Sequence, residues 1–365
     1  MAIINAPAIS TGKLVKTVSN YYMRMRETGI SCQDIRPIML FGPTGVGKSA
    51  AVEEIAEFME KESGKKIKVV DIRLTSCTIT DLIGIPSPDK DRTKTIWLKP
   101  EIYEAEEGYD EYIYFFDEID KANPSVQAAA LQLILDRKAW THHFPENTYV
   151  IAAANPARNT KKYETRMSPE LMNRFKHFNV QPDYESFRIW GIGQKIHYAV
   201  LGYLSYDQSK LYAASESEDV AFPTPRAWKS VSDTLNAFED VCKDIREIHF
   251  DLAGELGTGV ALEFESWFAV YSHMPVIKNI VEGTETIYPK TMDVMHALIA
   301  SLTAYVVSKG DKIRPEELRN AIIYVSRFPV DFATLFFKNL LEIDGMNLLL
   351  MKVPEYVAWA KKNRI

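Results

Sequence analysis

The apolar and polar positions of the chain change rhythm near residue 181. Before it, short apolar runs suited to buried parallel strands alternate with stretches of helical period; after it only the helical period remains. Residues 10–28 predict an amphipathic helix, with Leu14, Val18, Tyr21, Tyr22 and Met25 near helical spacing and Gly29 as its stop. Pro37 to Phe41 reads as a buried strand, and 50–61, with Val52, Ile55, Ala56 and Met59 in register, as the helix behind it. Further strands are expected at 68–72, at 112–118 ending in two acids, and at 149–154; a helix opened by Asn123 and Pro124 is expected at 125–138. Beyond 181, Trp228, Val231, Leu235, Phe238, Val241 and Ile245 recur every three or four positions, as do Met295, Leu298, Ile299, Leu302 and Val306, then Phe332, Leu335, Phe336 and Leu340. Such stripes are read as helices packed on one another, not as a ligand box. The chain is thus expected to divide into an N-terminal helix (1–35), an α/β core (36–181), a helical connector with an exposed loop (182–222) and an α-helical C-terminal region (223–365).

Chemistry enters where the first strand meets its helix. Gly42, Pro43, Thr44, Gly45, Val46, Gly47, Lys48, Ser49 and Ala50 stand there. Glycine, four residues, then Gly-Lys-Ser is the phosphate-cradling pattern: backbone N–H groups wrap the phosphates, Lys48 reaches the β and γ phosphates, and the Ser49 hydroxyl ligates magnesium. The competing reading is a glycine-rich turn with a solvated lysine. The order strand, loop, helix is what the phosphate motif requires, and it favours the first reading. Asp117 and Glu118 are expected at the C-terminal edge of their strand, where ligands of open parallel sheets collect. There Asp117 would hold magnesium through its water shell, and Glu118 would take a proton from an attacking water. Asn155 follows the strand 149–154 at the same edge. Its amide can orient that water, although a plain Asn-Pro turn also accounts for it. Arg226 falls in a first helical turn behind Thr224 as cap and Pro225 as first residue, a mildly unfavourable place for a cation unless a phosphate reverses the local field; a splayed, solvated arginine is the other reading.

Composition narrows the function classes. A chain of 365 residues with 46% hydrophobic content can bury one large core or two modest ones, which suggests about two domains. Its net charge of -6, from 43 basic and 49 acidic side chains, gives no general attraction to nucleic acid or anionic membrane. Cys32, Cys77 and Cys242 are far apart without a CxxC, which argues against a disulfide frame or zinc site and fits a reducing compartment. His142 and His143 are adjacent, not at helix-face spacing, and read as surface or packing residues. The opening MAIINAPAIS lacks a basic start and a long apolar core, and no run approaches the roughly 18 apolar residues of a spanning helix. A cytoplasmic protein without a membrane segment is expected.

Taken together, GPTGVGKS, the apolar strand into DEID, the strand into AAANP, and SPELMNRF resemble the AAA+ ATPases, and more narrowly the MoxR branch and its relatives in the dynein-related group. DIRLTSCTITDLIGIP, VQAAALQLILD and AFPTPRAW strengthen the likeness, which runs from about Arg36 to Ile343. The resemblance implies an AAA+ P-loop αβα sandwich with a parallel central sheet and an all-α helical lid. It further implies a homo-oligomer, a hexameric ring with ATP and Mg2+ at each subunit boundary, that remodels partners bearing a von Willebrand A or metallopeptidase-like domain. By resemblance, Arg174 stands at the arginine-finger position, reaching a neighbour's site; Asn155 matches the first sensor and Arg226 the second. Arg166, in the basic stretch 160–166, is a further candidate to face a neighbour. The segment Asp81 to Pro100, with Trp97, stands where relatives carry a pore-facing or substrate-contacting insertion; hairpin packing explains the Trp equally well. A metal-chelatase motor subunit shares this ATPase plan and stays open as a function. A nucleotide-gated scaffold or DNA-directed ring fits less well, given Glu118, Arg174 and the missing basic, aromatic-interleaved face.

Overall fold

The computed structural model describes residues 6–155, 172–213, 220–238, 244–271, 277–285, 287–289, 291–343 and 345–363. The chain forms two compact units, Met1–Pro182 and Asp183–Ile365. Among the described residues of the first, the strands are β1 (Ala8–Ser10), β2 (Ile38–Phe41), β3 (Ile67–Arg73), β4 (Ile85–Pro88), β5 (Thr95–Leu98), β6 (Glu111–Asp117), β7 (Lys138–Ala139), β8 (His142–His143), β9 (Thr148–Ala154) and β10 (Lys176–Gln181). Six of them make one sheet in the order β1-β10-β2-β9-β6-β3, every pairing parallel. The pairs β4-β5 and β7-β8 are small antiparallel hairpins.

Strand alternation divides the first core into two layers. Ile38, Leu40, Ile113, Phe115, Tyr149, Ile151 and Ala153 point to one face of the sheet. There they meet Leu14, Val18 and Tyr22 of helix α1 (Thr11–Glu27) and Val52, Ile55 and Met59 of α2 (Lys48–Ser63). Met39, Phe41, Tyr112, Tyr114, Phe116, Val150, Ala152 and Ala154 point to the other, against Leu82 of α3 (Ile79–Ile83) and Val126, Ala130, Leu133 and Ile134 of α4 (Pro124–Asp136). Strands buried on both faces are why β2, β6 and β9 read as unbroken apolar runs. Helix α1 is therefore part of the first unit's core.

Helix ends follow local chemistry. The Ser10 hydroxyl caps α1 by accepting from the Lys13 N–H at 3.4 Å. Helix α2 starts at Lys48, two residues before the predicted 50, because Gly47 is its cap, and it ends at Gly64 with φ +69°. Helix α4 stops at Asp136 instead of 138 because Arg137 takes a left-handed φ of +55°, its buried guanidinium donating to the carbonyls of Ile134 (2.6 Å) and Ile35 (3.0 Å). Trp97 packs flat on Trp140 at 5.1 Å, one hairpin against the other. Strands β1 and β10 have no counterpart in the sequence reading. At β10 only Phe178 and Val180 are buried apolar residues, and β1 is three residues long, so neither makes an apolar run.

In the second unit, the helices Tyr184–Gly193 and Tyr198–Tyr206, which the sequence presents as a connector, contribute Phe187, Ala199, Val200 and Leu204 to one core with Trp228, Val231, Leu235, Leu252 and Phe264. A further core joins Leu298, Ile299, Leu302 and Val306 to Ile322, Phe336, Leu340 and Leu350. Among the described residues, no helix is long and apolar enough to cross a membrane.

Candidate functional site

The order of the sheet brings the C-terminal ends of β2, β9 and β6 side by side, and each carries polar groups into the same edge. The loop after β2 starts at Gly42 because nothing larger fits: a Cβ there would lie 2.8 Å from the Val180 carbonyl oxygen and 3.2 Å from its Cβ. It closes at Gly47, whose φ of +100° suits glycine alone and which caps α2 without a side chain. The first-turn N–H groups of α2, left without a side-chain cap, are the donors that a helix N-terminus offers to an anion.

Lys48 is 8% exposed, and its ammonium is held by oxygens: the carbonyls of Gly42 (2.7 Å) and Pro43 (3.2 Å) and Oδ1 of Asn155 (2.6 Å). An ammonium can only donate, so the amide of Asn155 must present its oxygen to Lys48 and turn Nδ2 away from it. Asp120 accepts the backbone N–H of Asn155 through Oδ1 at 3.2 Å. Burial raises the pKa of Asp120; the hydrogen bond from the Asn155 N–H, and less strongly Lys121 and Lys48, oppose that rise.

Ser49 Oγ lies 3.4 Å from Oδ2 of Asp117, at the end of β6. A hydroxyl and a carboxylate that meet across two elements are hard oxygen donors suited to Mg2+. The other oxygen of Asp117 accepts the Glu118 N–H at 2.8 Å. Glu118 itself is left-handed, φ +54°, a strained backbone for a side chain of this kind. Its carboxylate is bonded by Lys121 Nζ and by the Thr75 hydroxyl at 3.2 Å. Lys121, above all by its hydrogen bond, and then Thr75 hold the Glu118 carboxyl below the usual carboxylate range, so it stands ionised.

Lys48, Ser49, Asp117, Glu118 and Asn155 thus meet at one edge. Arg174 does not join them. It is exposed and sits two residues before β10, whose first residue Lys176 pairs with Ile38 at the start of β2, so Arg174 lies toward the opposite edge of the parallel sheet. Arg226 belongs to the second unit, exposed in the first turn of the helix Pro225–Phe238, where Thr224 Oγ1 accepts the Ala227 N–H at 3.0 Å. Trp228, fully buried, fixes that turn through its indole N–H on the Lys210 carbonyl at 2.8 Å. Arg166 lies outside the described residues. Thr75, Asp120 and Lys121 join the site without a role foreseen from the linear pattern. A threonine just past β3 and a charged pair just past Glu118 are the only linear signals for them, and these become meaningful only once β3 and β9 flank β6.

Residues 37–175 match the family described as the AAA domain (dynein-related subfamily). The chain is also similar to the chaperone protein ClpB of Mycoplasmoides gallisepticum (strain R(low / passage 15 / clone 2)), with 25% identity over 181 residues, covering 44% of this chain and 24% of that protein. The chain therefore spans about a quarter of the length of this curated relative. The matched segment opens one residue before β2 and closes at Phe175, taking in the glycine loop, the paired acids at the end of β6 and Asn155 after β9. Over residues 37–175 the chain is thus similar to the AAA+ domains of the dynein-related group, a nucleotide-binding ATPase family.

Proposed function

We propose that this chain hydrolyses ATP as a MoxR-type remodelling ATPase, working as a ring with ATP at the boundaries between copies and acting on a partner of von Willebrand A type. The observation that carries the catalytic part is the meeting of Lys48, Ser49, Asp117, Glu118 and Asn155 at one sheet edge. The loop N–H groups and Lys48 would bind the β and γ phosphates, exchanging the carbonyls that now hold the ammonium for phosphate oxygens. Ser49 and Asp117 would hold Mg2+, which when bound neutralises charge on the phosphate oxygens. Glu118, kept ionised by Lys121, accepts a proton from the attacking water on a carboxylate oxygen, and Asn155 turns its Nδ2 donors toward that water. The same ion pair lowers the basicity of Glu118, so proton transfer is favoured when Lys121 lets go.

The placement of Arg174 supports shared sites. An arginine toward the far edge of its own sheet is poorly placed for its own copy's glycine loop and free to meet a neighbour's. Such a finger contributes about 10³ to 10⁵ in rate. The ClpB relative, a chaperone by name, supports remodelling as the use of the energy. The test is ATP turnover by Glu118→Gln, which should bind ATP and not cleave it, then by mixtures of Glu118→Gln with Arg174→Ala. Mixtures should recover activity because some boundaries regain one intact set. No recovery at any ratio would remove the shared-site reading, and full turnover by Glu118→Gln would remove Glu118 as the base. Captured on immobilised Glu118→Gln with ATP, the remodelled partner should carry a von Willebrand A fold.

A further inference from the structure

We propose that Asp120 is a positioning residue of this ATPase: by accepting the Asn155 N–H it fixes the peptide that aims the Asn155 amide. The inference rests on the ATPase reading above and goes beyond it in assigning a residue that touches neither phosphate nor water.

Asn155 follows β9 directly, so the last ladder pairing of its strand, at Ala154 with Phe41, leaves Asn155 beyond the sheet. Two contacts on separate elements hold it instead: Lys48 takes the side-chain oxygen at 2.6 Å and Asp120 takes the backbone N–H at 3.2 Å. One contact alone leaves a rotation about the other; the pair fixes both the peptide plane and the amide. Because Lys48 must hold Oδ1, the Nδ2 donors point away from it, and no hydrogen bond of theirs is seen among the described residues. When Lys48 turns to phosphate oxygens the side-chain contact is lost, and the backbone bond to Asp120 is then what keeps Asn155 in place.

Asp120 is itself braced. It sits in the one-turn segment Ile119–Lys121, and the buried Gln127 of α4 donates Nε2 to the Ile119 carbonyl at 2.8 Å. Ile119 is fully buried. The turn that carries Asp120 also follows Glu118 directly, so a single rigid segment sets the proton acceptor and, through Asp120, the amide across from it. What this role requires of residue 120 is an acceptor oxygen at that reach; its charge is secondary. An asparagine offers the same oxygen, and an alanine offers none.

The test compares Asp120→Ala and Asp120→Asn in the full chain, measuring steady-state ATP turnover and nucleotide affinity. Asp120→Ala should lower kcat by about 10-fold or more with KM within about 2-fold, because the interaction acts on water orientation and not on phosphate binding. Asp120→Asn, isosteric and expected to fold normally, should recover kcat to within about 3-fold. In an Asn155→Ala background, Asp120→Ala should add little, since the group it aims is already gone. Wild-type kcat in Asp120→Ala, equal impairment of the Asn and Ala variants, or additive losses with Asn155→Ala would each overturn the proposal while leaving the ATPase reading intact. A wild-type chain that binds no ATP, or binds and does not cleave it, overturns the ATPase reading and this proposal with it.

Discussion

Replacing Lys48 by methionine tests the site at its most buried charge. Methionine keeps the length, roughly the volume and the helix propensity of lysine, so α2 should start as before. The unliganded protein loses the hydrogen bonds to Gly42, Pro43 and Asn155, but it also loses the cost of burying an ammonium at 8% exposure, so its unfolding midpoint should stay close to wild type. Ligand binding is different. A charge-assisted bond between the ammonium and phosphate oxygens is worth about 3 kcal/mol in such a setting, or about 150-fold in affinity. At ATP 100-fold above its dissociation constant, wild type should gain about 2.7 kcal/mol, which for a unit of this size is about 5–10 °C in the midpoint. At that same concentration the variant would be under half occupied, with a gain of about 0.3 kcal/mol and a shift of about 1 °C. Thermal unfolding with and without Mg-ATP reads both quantities. A variant whose midpoint rises with ATP as far as wild type would refute the assignment of the loop; a variant already unstable without ATP would refute the claim that lysine burial carries no net stabilisation.

Two further outcomes follow from packing and titration. Gly42→Ala places a methyl 2.8 Å from a main-chain carbonyl of β10, which cannot move without breaking the sheet; a loss of about 1–3 kcal/mol and a midpoint lowered by several degrees are expected without any nucleotide, and an unchanged midpoint would contradict the close packing of the loop on β10. His197 caps the helix Tyr198–Tyr206, its Nδ1 accepting the Ala199 N–H at 3.2 Å, and burial pushes its pKa down to about 4. Since the unfolded chain takes up that proton first, the stabilisation is whole above about pH 6.5 and falls as pH drops toward 4. His197→Asn keeps a capping acceptor without the titration, so wild type should lose stability relative to the variant between pH 7 and 4.5; midpoints that fall in parallel would contradict the burial argument.

The strands β2, β6 and β9 and the helices α1, α2 and α4 were legible in the linear pattern because each is either apolar on both faces or carries a helical stripe, and burial on that scale leaves a local trace; the glycine loop was legible from its residue spacing between a strand and a helix. The placement of Lys48, Ser49, Asp117 and Glu118 at a sheet edge was legible because each stands at a set distance from a recognisable strand end. What only the tertiary structure decided is which strand ends are neighbours. The chain leaves β2 for β3 at the far edge and returns through β6 and β9, so Asn155 reaches Lys48 across 107 positions and Thr75 reaches Glu118 across 43. Contacts of that separation depend on the order and register of the sheet. Single polar residues such as Thr75 and Asp120 leave no periodic mark from which such an order could be read, and β10, with two buried apolar side chains, leaves hardly more.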